Sequence, residues 1–472
     1  MVRLPQLFIN GQWLDSSSNK TIDVINPATE KVIASIPLAN EKDVNKAVQS
    51  AKKAFITWQQ TNSDDRAGFI NAIVAKLIEK RDEMAATICA EQGMPITFAH
   101  SVQAGGPILG MASYATLTQV MDQVQQIENT LVVKEPIGVC AVITPWNYPL
   151  HQLIAKVAPG LAAGCTMVIK PSEETPLCAL LFAKIIEEIG LPPGVINLIT
   201  GDGVTTGNAL TCHPDVDLVS FTGSTSAGIQ VALNAAVTVK RVCQELGGKS
   251  PNIITPEAPL EQAVTDAVTS VMFNCGQTCV AATRVLIHQS QYQQAIAIAK
   301  KVAESFIIGD PLDKDTFMGP LCSAKQQQSV LSYIQKGLDE GANLITGGIE
   351  RPQGLNTGFY VKPTIFSEVT NNMVIAREEI FGPVICFMAF DDLPQAIDIA
   401  NDTDYGLAAK VWAGSKEQAI IIAKQIRAGQ ITLNGGDFNF NAPFGGFKRS
   451  GNGREWGEAG LHEFIELKSM QC

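Results

Sequence analysis

The stretch CTMVIKPSEETPLCALLFAKIIEEIGLPPGVINLIT, residues 165–200, contains a strand, a helix and a second strand in that order. CTMVIK is a short apolar run that ends at a charged residue and a proline, which is typical of a buried strand. A helical pattern follows from Pro176 to Ile189, and GVINLIT is the next apolar run. Parallel neighbouring strands need a crossover of this kind, so the stretch predicts a parallel sheet covered by helices.

The same alternation extends in both directions from this stretch. GVCAVI (138–143) and LVSFTG (218–223) are further apolar runs, and the second leads into the helical pattern SAGIQVALNAA (226–236). We therefore predict a Rossmann-like, doubly wound α/β domain that binds its ligand at the carboxyl ends of the strands. From about residue 249 a second α/β alternation predicts a separate lobe.

Upstream of the sheet, the sequence predicts a small antiparallel lead-in and two amphipathic helices. Asn40 can cap the first helix. The second carries apolar residues from Phe69 to Ile88 and stops at Gly93. The charge-free run 139–155 contains two prolines, so we interpret it as a buried strand and loop and not as a membrane span.

The composition excludes several classes of partner. The formal net charge of -11 offers no basic surface for a nucleic acid or an anionic membrane. The 11 Cys residues follow no regular framework, which is typical of reduced thiols in a cytoplasmic protein. The first residues, MVRLPQLFINGQW, lack the apolar segment of a signal peptide.

One of three glycine-containing stretches remains as a candidate phosphate-binding loop. GDGVTTG (201–207) places its last glycine one residue too late for G-x-G-x-x-G, and ELGGKS (245–250) lacks the upstream glycine of a phosphate loop. FTGSTSAG (221–228) follows a strand and opens a helix, where free backbone N–H groups, Gly223 and Ser224 could bind a pyrophosphate. A helix start without a ligand is equally consistent with this stretch.

Each polar residue at the other strand ends can be interpreted as part of a functional site or as a structural residue. Asn147 in TPWNYP (144–149) could donate to an oxyanion or could bond to loop carbonyls. Lys170 and Glu173 could bind a ribose, where the carboxylate would repel a 2'-phosphate and favour NAD over NADP, or could be a solvated charge pair. Glu245 could be a partly buried general base with a raised pKa or a surface residue on a turn.

The stretch FNCGQTCVAATR (273–284) holds two cysteines four positions apart. This spacing and the scattered histidines do not suit a metal, so we predict no metal site. A cysteine hydrolase would need a histidine partner that the sequence does not mark. A thiol at a helix N-terminus could be activated by free N–H groups and a bound cation, which fits Cys279 after GQT. Cys275 is interpreted as packing, or as an occasional disulfide partner.

Seven motifs in a fixed order resemble those of the NAD(P)-dependent aldehyde dehydrogenase superfamily. They are TPWNYP, KPSEETP, FTGS, ELGGKSP, GQTC, EEIFGPV and PFGGFKRSG, spread over some three hundred residues. Each motif is modest alone, but together they are very specific, and they favour the functional reading of each stretch above.

The resemblance implies a role for each matching residue. Cys279 would be the nucleophile, Glu245 the general base of hydrolysis, and Asn147 with the backbone N–H of Cys279 the oxyanion hole. Coenzyme contacts are expected from Trp146, Lys170, Glu173, Gly223, Ser224, Glu379 and Phe381. The implied reaction oxidises an aldehyde with NAD through a thiohemiacetal and a thioester. Branches of the family that transfer the acyl group to coenzyme A generally lack the carboxylate of Glu245, so water is the predicted acceptor.

The family fold implies three units in this chain. Residues 1–117 and 137–248 would form a discontinuous NAD-binding domain, and 249–448 a catalytic domain bearing Cys279. Residues 118–136 and 459–472 would form a small β oligomerisation arm that extends a neighbouring subunit's sheet. A homodimer or homotetramer is therefore expected.

The substrate tunnel is expected just after the PWN motif, beside the nucleophile, and in the loop before PFGG. Its predicted lining is Gln152, Ala155, Thr278, Val280, Phe438 and Phe440. These segments contain no arginine for a distal carboxylate and no aromatic cage for a quaternary ammonium group. They favour a medium-sized apolar or aromatic aldehyde, and the small Ala155 indicates a wide mouth.

Two rival functions remain at this stage. A cysteine-dependent acyltransferase or esterase would use the same thioester chemistry without redox, but the coenzyme motifs argue against it. A non-catalytic protein could also share the fold. The joint presence of Cys279, Glu245 and Asn147 argues against that reading.

Overall fold

The computed structural model describes residues 2–3 and 6–472, which form four β-sheets surrounded by helices. In chain order, the strands are β1 (Val2–Arg3), β2 (Gln6–Ile9), β3 (Gln12–Asp15), β4 (Thr21–Asn26), β5 (Lys31–Pro37), β6 (Gln125–Ile127), β7 (Thr130–Pro136), β8 (Val139–Ile143), β9 (Thr166–Lys170), β10 (Ile196–Leu198), β11 (Leu218–Thr222), β12 (Arg241–Glu245), β13 (Pro251–Ile254), β14 (Arg284–His288), β15 (Asn343–Thr346), β16 (Thr364–Ser367), β17 (Val384–Phe390), β18 (Ala408–Trp412), β19 (Gln430–Leu433), β20 (Gly451–Asn452) and β21 (Ile465–Gln471).

Helices cover the sheets and connect their strands. They are α1 (Glu41–Trp58), α2 (Ser63–Glu79), α3 (Arg81–Gln92), α4 (Ile96–Phe98), α5 (Gly105–Leu117), α6 (Pro149–Ala163), α7 (Leu177–Glu188), α8 (Asn208–Cys212), α9 (Thr225–Ala236), α10 (Leu260–Met272), α11 (Tyr292–Glu304), α12 (Ala324–Asp339), α13 (Val374–Arg377), α14 (Leu393–Asn401), α15 (Lys416–Ala423) and α16 (Gly457–His462). Short 3-10 or π turns lie between or beside some of them.

The first large sheet has the strand order β20-β12-β11-β8-β9-β10-β2-β3. Its central strands β12, β11, β8, β9 and β10 run parallel, and β20 and β2 join antiparallel at either side. Strands β8, β9 and β11 are buried along their whole length, because helices cover both faces. This arrangement matches the predicted doubly wound sheet and gathers the carboxyl ends of β8, β9, β11 and β12 at one edge.

Two predictions about the helices before and within this sheet are wrong. The residues from Phe69 to Ile88 belong to two helices, α2 and α3, since the backbone leaves helical geometry at Lys80. The run 139–155 is not a strand and loop, because α6 begins at Pro149 and continues to Ala163. Almost every residue of α6 is buried, so the sequence shows no polar face that would mark a helix.

Two other helix predictions are confirmed. Asn40 caps α1, and its side chain accepts hydrogen bonds from the backbone of Lys42 and Asp43. Gly93 ends α3 with a left-handed φ of 91°.

The second large sheet forms the separate lobe, with the order β15-β16-β17-β14-β13-β18-β19. All of its neighbouring strands are parallel except β15 and β16. Its own apolar core is distinct from the cores on the two faces of the first sheet. The site lies where the carboxyl edge of the first sheet meets this lobe.

A smaller sheet forms the predicted arm, in which β21 pairs antiparallel with β7, and β7 with β6. In β21 only Ile465 is buried, and the residues after it are exposed. Within the described residues, no helix is both long and apolar enough to cross a membrane. The exact domain boundaries stay a prediction.

Candidate active site

A cleft of about 430 Å³ lies between the first sheet and the second lobe. It brings together ten predicted site residues from distant parts of the chain: Trp146, Asn147, Gln152, Glu173, Gly223, Ser224, Glu245, Cys279, Glu379 and Phe381. Six other predicted residues do not line it, namely Lys170, Ala155, Thr278, Val280, Phe438 and Phe440. The residues that the sequence predicted for the coenzyme and for catalysis therefore share one cavity, apart from Lys170.

Cys279 lies in a turn and not at a helix N-terminus, which corrects the prediction from the sequence. The turn is closed by a hydrogen bond from the backbone N–H of Ala281 to the carbonyl of Thr278 at 3.0 Å. Burial raises the pKa of the Cys279 thiol, and the carboxylates of Glu379 and Glu245 raise it further. The protein alone thus holds this sulfur as a neutral thiol.

The loop before Cys279 has an unusual backbone that presents the sulfur to the cleft. Asn274 and Cys275 have left-handed φ values of 51° and 55°. Gly276 also has a positive φ, and a side chain here would overlap the carbonyl of Gly382. The Cys275 thiol is buried and donates to the Gly319 carbonyl at 3.0 Å, so its role here is packing.

Asn147 is held by a network of buried amides. Its side-chain amide donates to the Gln277 carbonyl at 3.0 Å, which leaves a second amide hydrogen. Its backbone carbonyl accepts from Gln103 at 2.9 Å and from Asn274 at 3.1 Å. These bonds fix Asn147 relative to the loop that carries Cys279, as an oxyanion donor requires.

Glu245 is the last residue of β12, with Thr222 of β11 beside it on one side and Gly451 of β20 on the other. It is only 5% exposed, and both carboxylate oxygens lack a hydrogen-bond partner among the described residues. Burial raises the pKa of Glu245 well above its ordinary value, and the neighbouring Glu455 adds to this effect, while Lys156 opposes it. A carboxylate in this state is a stronger base than an exposed one.

A buried ion pair lies next to Glu245. Lys156 of α6 donates to the hydroxyl of Thr222 at 2.6 Å and to the carboxylate of Glu455. Both charged side chains are almost fully buried, so the charge of each is stabilised by the other. Sequence reasoning missed this pair, because the two residues are 299 positions apart.

Residues at the edge of the first sheet line the next part of the cleft. Ser224 caps α9, where its hydroxyl accepts from the backbone N–H of Ala227 at 3.3 Å. A side chain at Gly223 would come within 2.5 Å of the Phe221 ring, so packing alone requires glycine there. The first turn of α9 leaves backbone N–H groups beside the cleft, which suits an anion.

Lys170 and Glu173 behave differently from each other. Lys170 is buried, donates to the carbonyls of Gly201 at 2.7 Å and Pro171 at 2.9 Å, and has a pKa lowered by that burial. Glu173 lies 3.4 Å from the Lys170 ammonium, keeps 36% of its side chain exposed and lines the cleft. The structure therefore places the carboxylate at the cleft and the lysine behind it.

Glu379 and Phe381 border the cleft from the second lobe. The Glu379 carboxylate accepts from the backbone N–H of Gly248 at 2.9 Å, and burial raises its pKa to about 7. Any side chain at Gly247 would overlap this carboxylate. Phe381 has a left-handed φ of 55°. Its ring packs edge to face against that of Trp146, with 5.3 Å between the ring centroids.

Of the residues predicted for a substrate tunnel, Gln152 lines the cleft and the others do not. Ala155 does not line the cleft, because it is buried on α6 and borders a second cavity. Phe438 is 44% exposed and belongs to a cluster of aromatic rings around His151. The cluster consists of Tyr148, His151, Phe438, Phe440, Phe444 and Trp456.

One hydrogen bond connects this aromatic cluster to the residue before Cys279. The hydroxyls of Tyr148 and Thr278 lie 2.9 Å apart, and Thr278 precedes Cys279. Burial lowers the pKa of His151 to about 4, so its ring is neutral at neutral pH. Val280 packs against the core of the first sheet. Phe438 and Phe440 could be predicted from the sequence, but the aromatic residues that approach them from elsewhere in the chain could not.

Comparison with known proteins shows the family to which the chain belongs. The sequence pattern of the aldehyde dehydrogenase family matches residues 13–470. The chain belongs to the aldehyde dehydrogenase family. It is 48% identical over 466 residues to a 3-succinoylsemialdehyde-pyridine dehydrogenase from Pseudomonas sp, with 98% of each chain covered.

Solved structures of other aldehyde dehydrogenases share the fold almost completely. A mutant of aldehyde dehydrogenase C from Pseudomonas syringae, in complex with NAD+ and octanal, has a TM-score of 0.98 and 45% identity, covering 99% of this chain and 96% of that chain. The NAD+ complex of an aldehyde dehydrogenase from Bacillus cereus has a TM-score of 0.96 and 39% identity, covering 98% and 96%. These matches confirm the predicted family and fold class.

Several cleft residues of this family member were not predicted from the sequence. They include Ser172, Glu174, Thr222, Leu246, Gly247, Ser323, Lys325, Gln326, Ser329, Tyr333 and Ile380. Most lie within or beside motifs, so position along a strand end could have indicated Thr222 or Gly247. The residues from α12 and the segment before it carry no motif, and only the fold brings them to the cleft.

Proposed function

We propose that the protein oxidises an aldehyde to the carboxylic acid with NAD+, through a covalent intermediate on Cys279 that water hydrolyses. The observation that carries this proposal is the single cleft that joins Cys279, Asn147, Glu245 and Glu379. These side chains come from four separate segments, and a thiol, an amide donor and a raised-pKa carboxylate are the groups that this chemistry needs.

The residues of the cleft fit a nicotinamide dinucleotide. The start of α9 offers N–H groups for the pyrophosphate, and Glu173 and Glu379 stand at separate places for the two riboses. The glycine at 247 leaves room for the Glu379 carboxylate. When bound, the coenzyme would supply a hydride acceptor and a positive charge. A positive charge in the cleft would favour the Cys279 thiolate, which the protein alone disfavours.

The chain's own residues would carry the first half of the reaction. After the Cys279 thiol has released its proton to solvent, the sulfur attacks the aldehyde carbon. The carbonyl oxygen becomes an oxyanion that the Asn147 amide and the backbone N–H of Cys279 stabilise. This addition creates a carbon that can release a hydride, which an aldehyde carbonyl cannot do readily. Loss of the hydride leaves an acyl group bonded to the Cys279 sulfur.

Hydrolysis would use Glu245 as the base. The carboxylate takes a proton from water as the water oxygen bonds to the acyl carbon, and the Cys279 sulfur leaves. The two unpartnered oxygens of Glu245 are free to accept this proton. Water is the proposed acceptor in place of a thiol cofactor, because a carboxylate occupies this position.

The substrate we propose is a medium-sized apolar or aromatic aldehyde. The aromatic cluster, whose Tyr148 is hydrogen-bonded to Thr278, supports this class, since aromatic rings favour apolar and aromatic ligands. The relatives named above act on or bind a pyridine-bearing semialdehyde and octanal, which belong to the same broad class. The test is NADH formation, followed spectrophotometrically with aldehydes from short aliphatic to benzaldehyde-like. Highest kcat/KM for acetaldehyde would contradict the proposed class, and no NADH with any aldehyde would contradict the function.

The choice of coenzyme is expected to depend on Glu173. Replacing Glu173 by Gln should raise the ratio of kcat/KM for NADP to that for NAD about tenfold, because one repulsion of the 2'-phosphate is worth about 1.4 kcal/mol. Initial rates with both coenzymes measure this ratio. Glu174→Gln is the matched control, since Glu174 is adjacent and also lines the cleft. A wild-type preference for NADP, or equal effects of the two variants, would argue against Glu173.

A homodimer or homotetramer is the proposed assembly. The arm leaves the outer edges of β21 and β6 without a partner strand among the described residues, so a second copy can extend the sheet. Helix α9 and the turn after it expose Ile229, Leu233, Val237 and Val239, an apolar stripe that a second copy would cover. The mass in solution, measured by light scattering, tests this; a monomer would contradict it.

A further inference from the structure

A second cavity, separate from the cleft, is also lined by Glu245. Its volume is about 10 Å³, the space that one water molecule needs. Glu245 is the one residue that the linings of the two cavities share. The other polar residues around the small cavity are Ser220, Cys243, Gln244, Asn452, Arg454, Glu455 and Glu463.

The small cavity connects a buried carboxylate to a half-buried one. Both oxygens of Glu245 are buried and without a partner among the described residues, so a water here would find acceptors that lack a donor. Glu463 lies at the outer side and is half-buried. Its Oε1 accepts from the backbone N–H of Arg454 at 2.9 Å, and its Oε2 accepts from the Cys243 thiol at 3.1 Å.

The charges around this cavity do not balance when every group is ionised. The carboxyl groups are Glu245, Glu455 and Glu463, and the cations are Lys156 and Arg454. Arg241 also approaches, but its guanidinium bonds to the Glu463 backbone carbonyl and to the carboxylate of Glu466. Three negative groups against two positive ones favour one extra proton shared within the cluster.

We propose that Glu463 is a positioning residue for hydrolysis, which receives the proton that Glu245 takes from water and passes it to solvent. This inference rests on the proposed function. As the thioester is hydrolysed, the attacking water loses one proton to Glu245. Glu245 passes this proton to a second water, one that would occupy the small cavity; that water passes a proton to Glu463 and is left with two hydrogens. Glu463 then releases it to bulk water, and Glu245 is a base again.

The position of Glu463 would allow a proton to leave Glu245 without passing through the cleft. Glu245 faces the cleft on its other side, but coenzyme and substrate would occupy the cleft during turnover. A proton that left through the cleft would have to pass them. The route through the small cavity leaves the sheet at β20, where Asn452 is exposed.

The test compares Glu463→Gln with Glu466→Gln in the full-length protein. Glutamine keeps one oxygen, which can accept from the backbone N–H of Arg454 or from the Cys243 thiol, and it cannot be a carboxylate base. Glu466 is the matched control, because it is an exposed carboxylate on the same segment, paired with Arg241. For Glu463→Gln we expect an NADH burst of wild-type rate, a steady-state kcat about tenfold lower, and more acylated Cys279 in acid-quenched samples by intact-mass spectrometry.

The pH dependence separates a proton route from a merely structural role. The kcat deficit of Glu463→Gln should shrink as pH rises, because hydroxide can then take the proton directly, and Glu463→Asp should restore part of the rate. Equal steady-state rates for Glu463→Gln and Glu466→Gln would overturn the proposal and favour exit through the cleft. A lost burst or weakened NAD+ binding in Glu463→Gln would overturn it in favour of a structural role. Wild-type protein that forms no NADH would overturn the proposed function and this route with it.

Discussion

Cys279→Ala is expected to abolish NADH formation from every aldehyde. Among the described residues, Cys279 is the one thiol that lines the cleft, and no hydride can leave until it has added to the carbonyl. We expect kcat/KM to fall by at least about 10⁴-fold, as when other covalent catalysts lose their nucleophile. Stopped-flow absorbance of NADH measures the loss in both the first turnover and the steady state.

Cys275→Ala is the matched control for this loss. Cys275 is buried four residues earlier in the same loop, where its thiol donates to the Gly319 carbonyl. We expect this variant to keep most of its activity and to lose some thermal stability, since the substitution removes a buried group. NAD+ binding by Cys279→Ala, measured by calorimetry, should match wild type. Residual activity above 1% in Cys279→Ala, or equal losses in both variants, would contradict the assignment.

Glu245→Gln is expected to separate the two halves of the reaction. The variant should form one NADH per active subunit in a burst and then stall, because the acyl group on Cys279 no longer meets an activated water. The steady-state rate should fall by roughly 10²–10⁴-fold, the usual contribution of a general base. Rapid mixing with an aldehyde and NAD+, followed at the NADH absorbance, measures both phases.

The pH dependence of hydrolysis gives an independent check on Glu245. Burial raises the pKa of this group, and only its deprotonated form can accept a proton from water. The wild-type hydrolysis rate should therefore rise with pH through that raised pKa, while the rate in Glu245→Gln should lack this rise. Steady turnover of Glu245→Gln at the wild-type rate would remove Glu245 from its role.

Much of the first sheet could be predicted because its parallel strands are buried on both faces. Such strands are uninterrupted apolar runs, and β8, β9 and β11 stand out for this reason. Helix α6 could not be predicted by the same reasoning, since burial on all sides removes the polar face that reveals a helix. The break at Lys80 carries no Gly or Pro and was equally hidden.

Some features of the site could be predicted from the sequence and others could not, for similar reasons. Residues at strand ends, such as Asn147 and Glu245, could be predicted because a parallel sheet brings its carboxyl ends together. The turn at Cys279 could not, because it depends on the left-handed backbone of the preceding loop. The pairing of Lys156 with Glu455 could not be predicted, since no local pattern relates residues 299 positions apart.

The antiparallel strand β20 has a consequence for synthesis on the ribosome. It pairs with β12 and places Gly451 next to Glu245, and Glu455 follows a few residues later. While the nascent chain is being made, β12 therefore remains an uncovered edge and Lys156 a buried cation without its counter-ion. Exposed edges of this kind invite pairing with other chains, so the synthesis of residues 451–455 both completes the surroundings of Glu245 and covers an edge that is prone to aggregate.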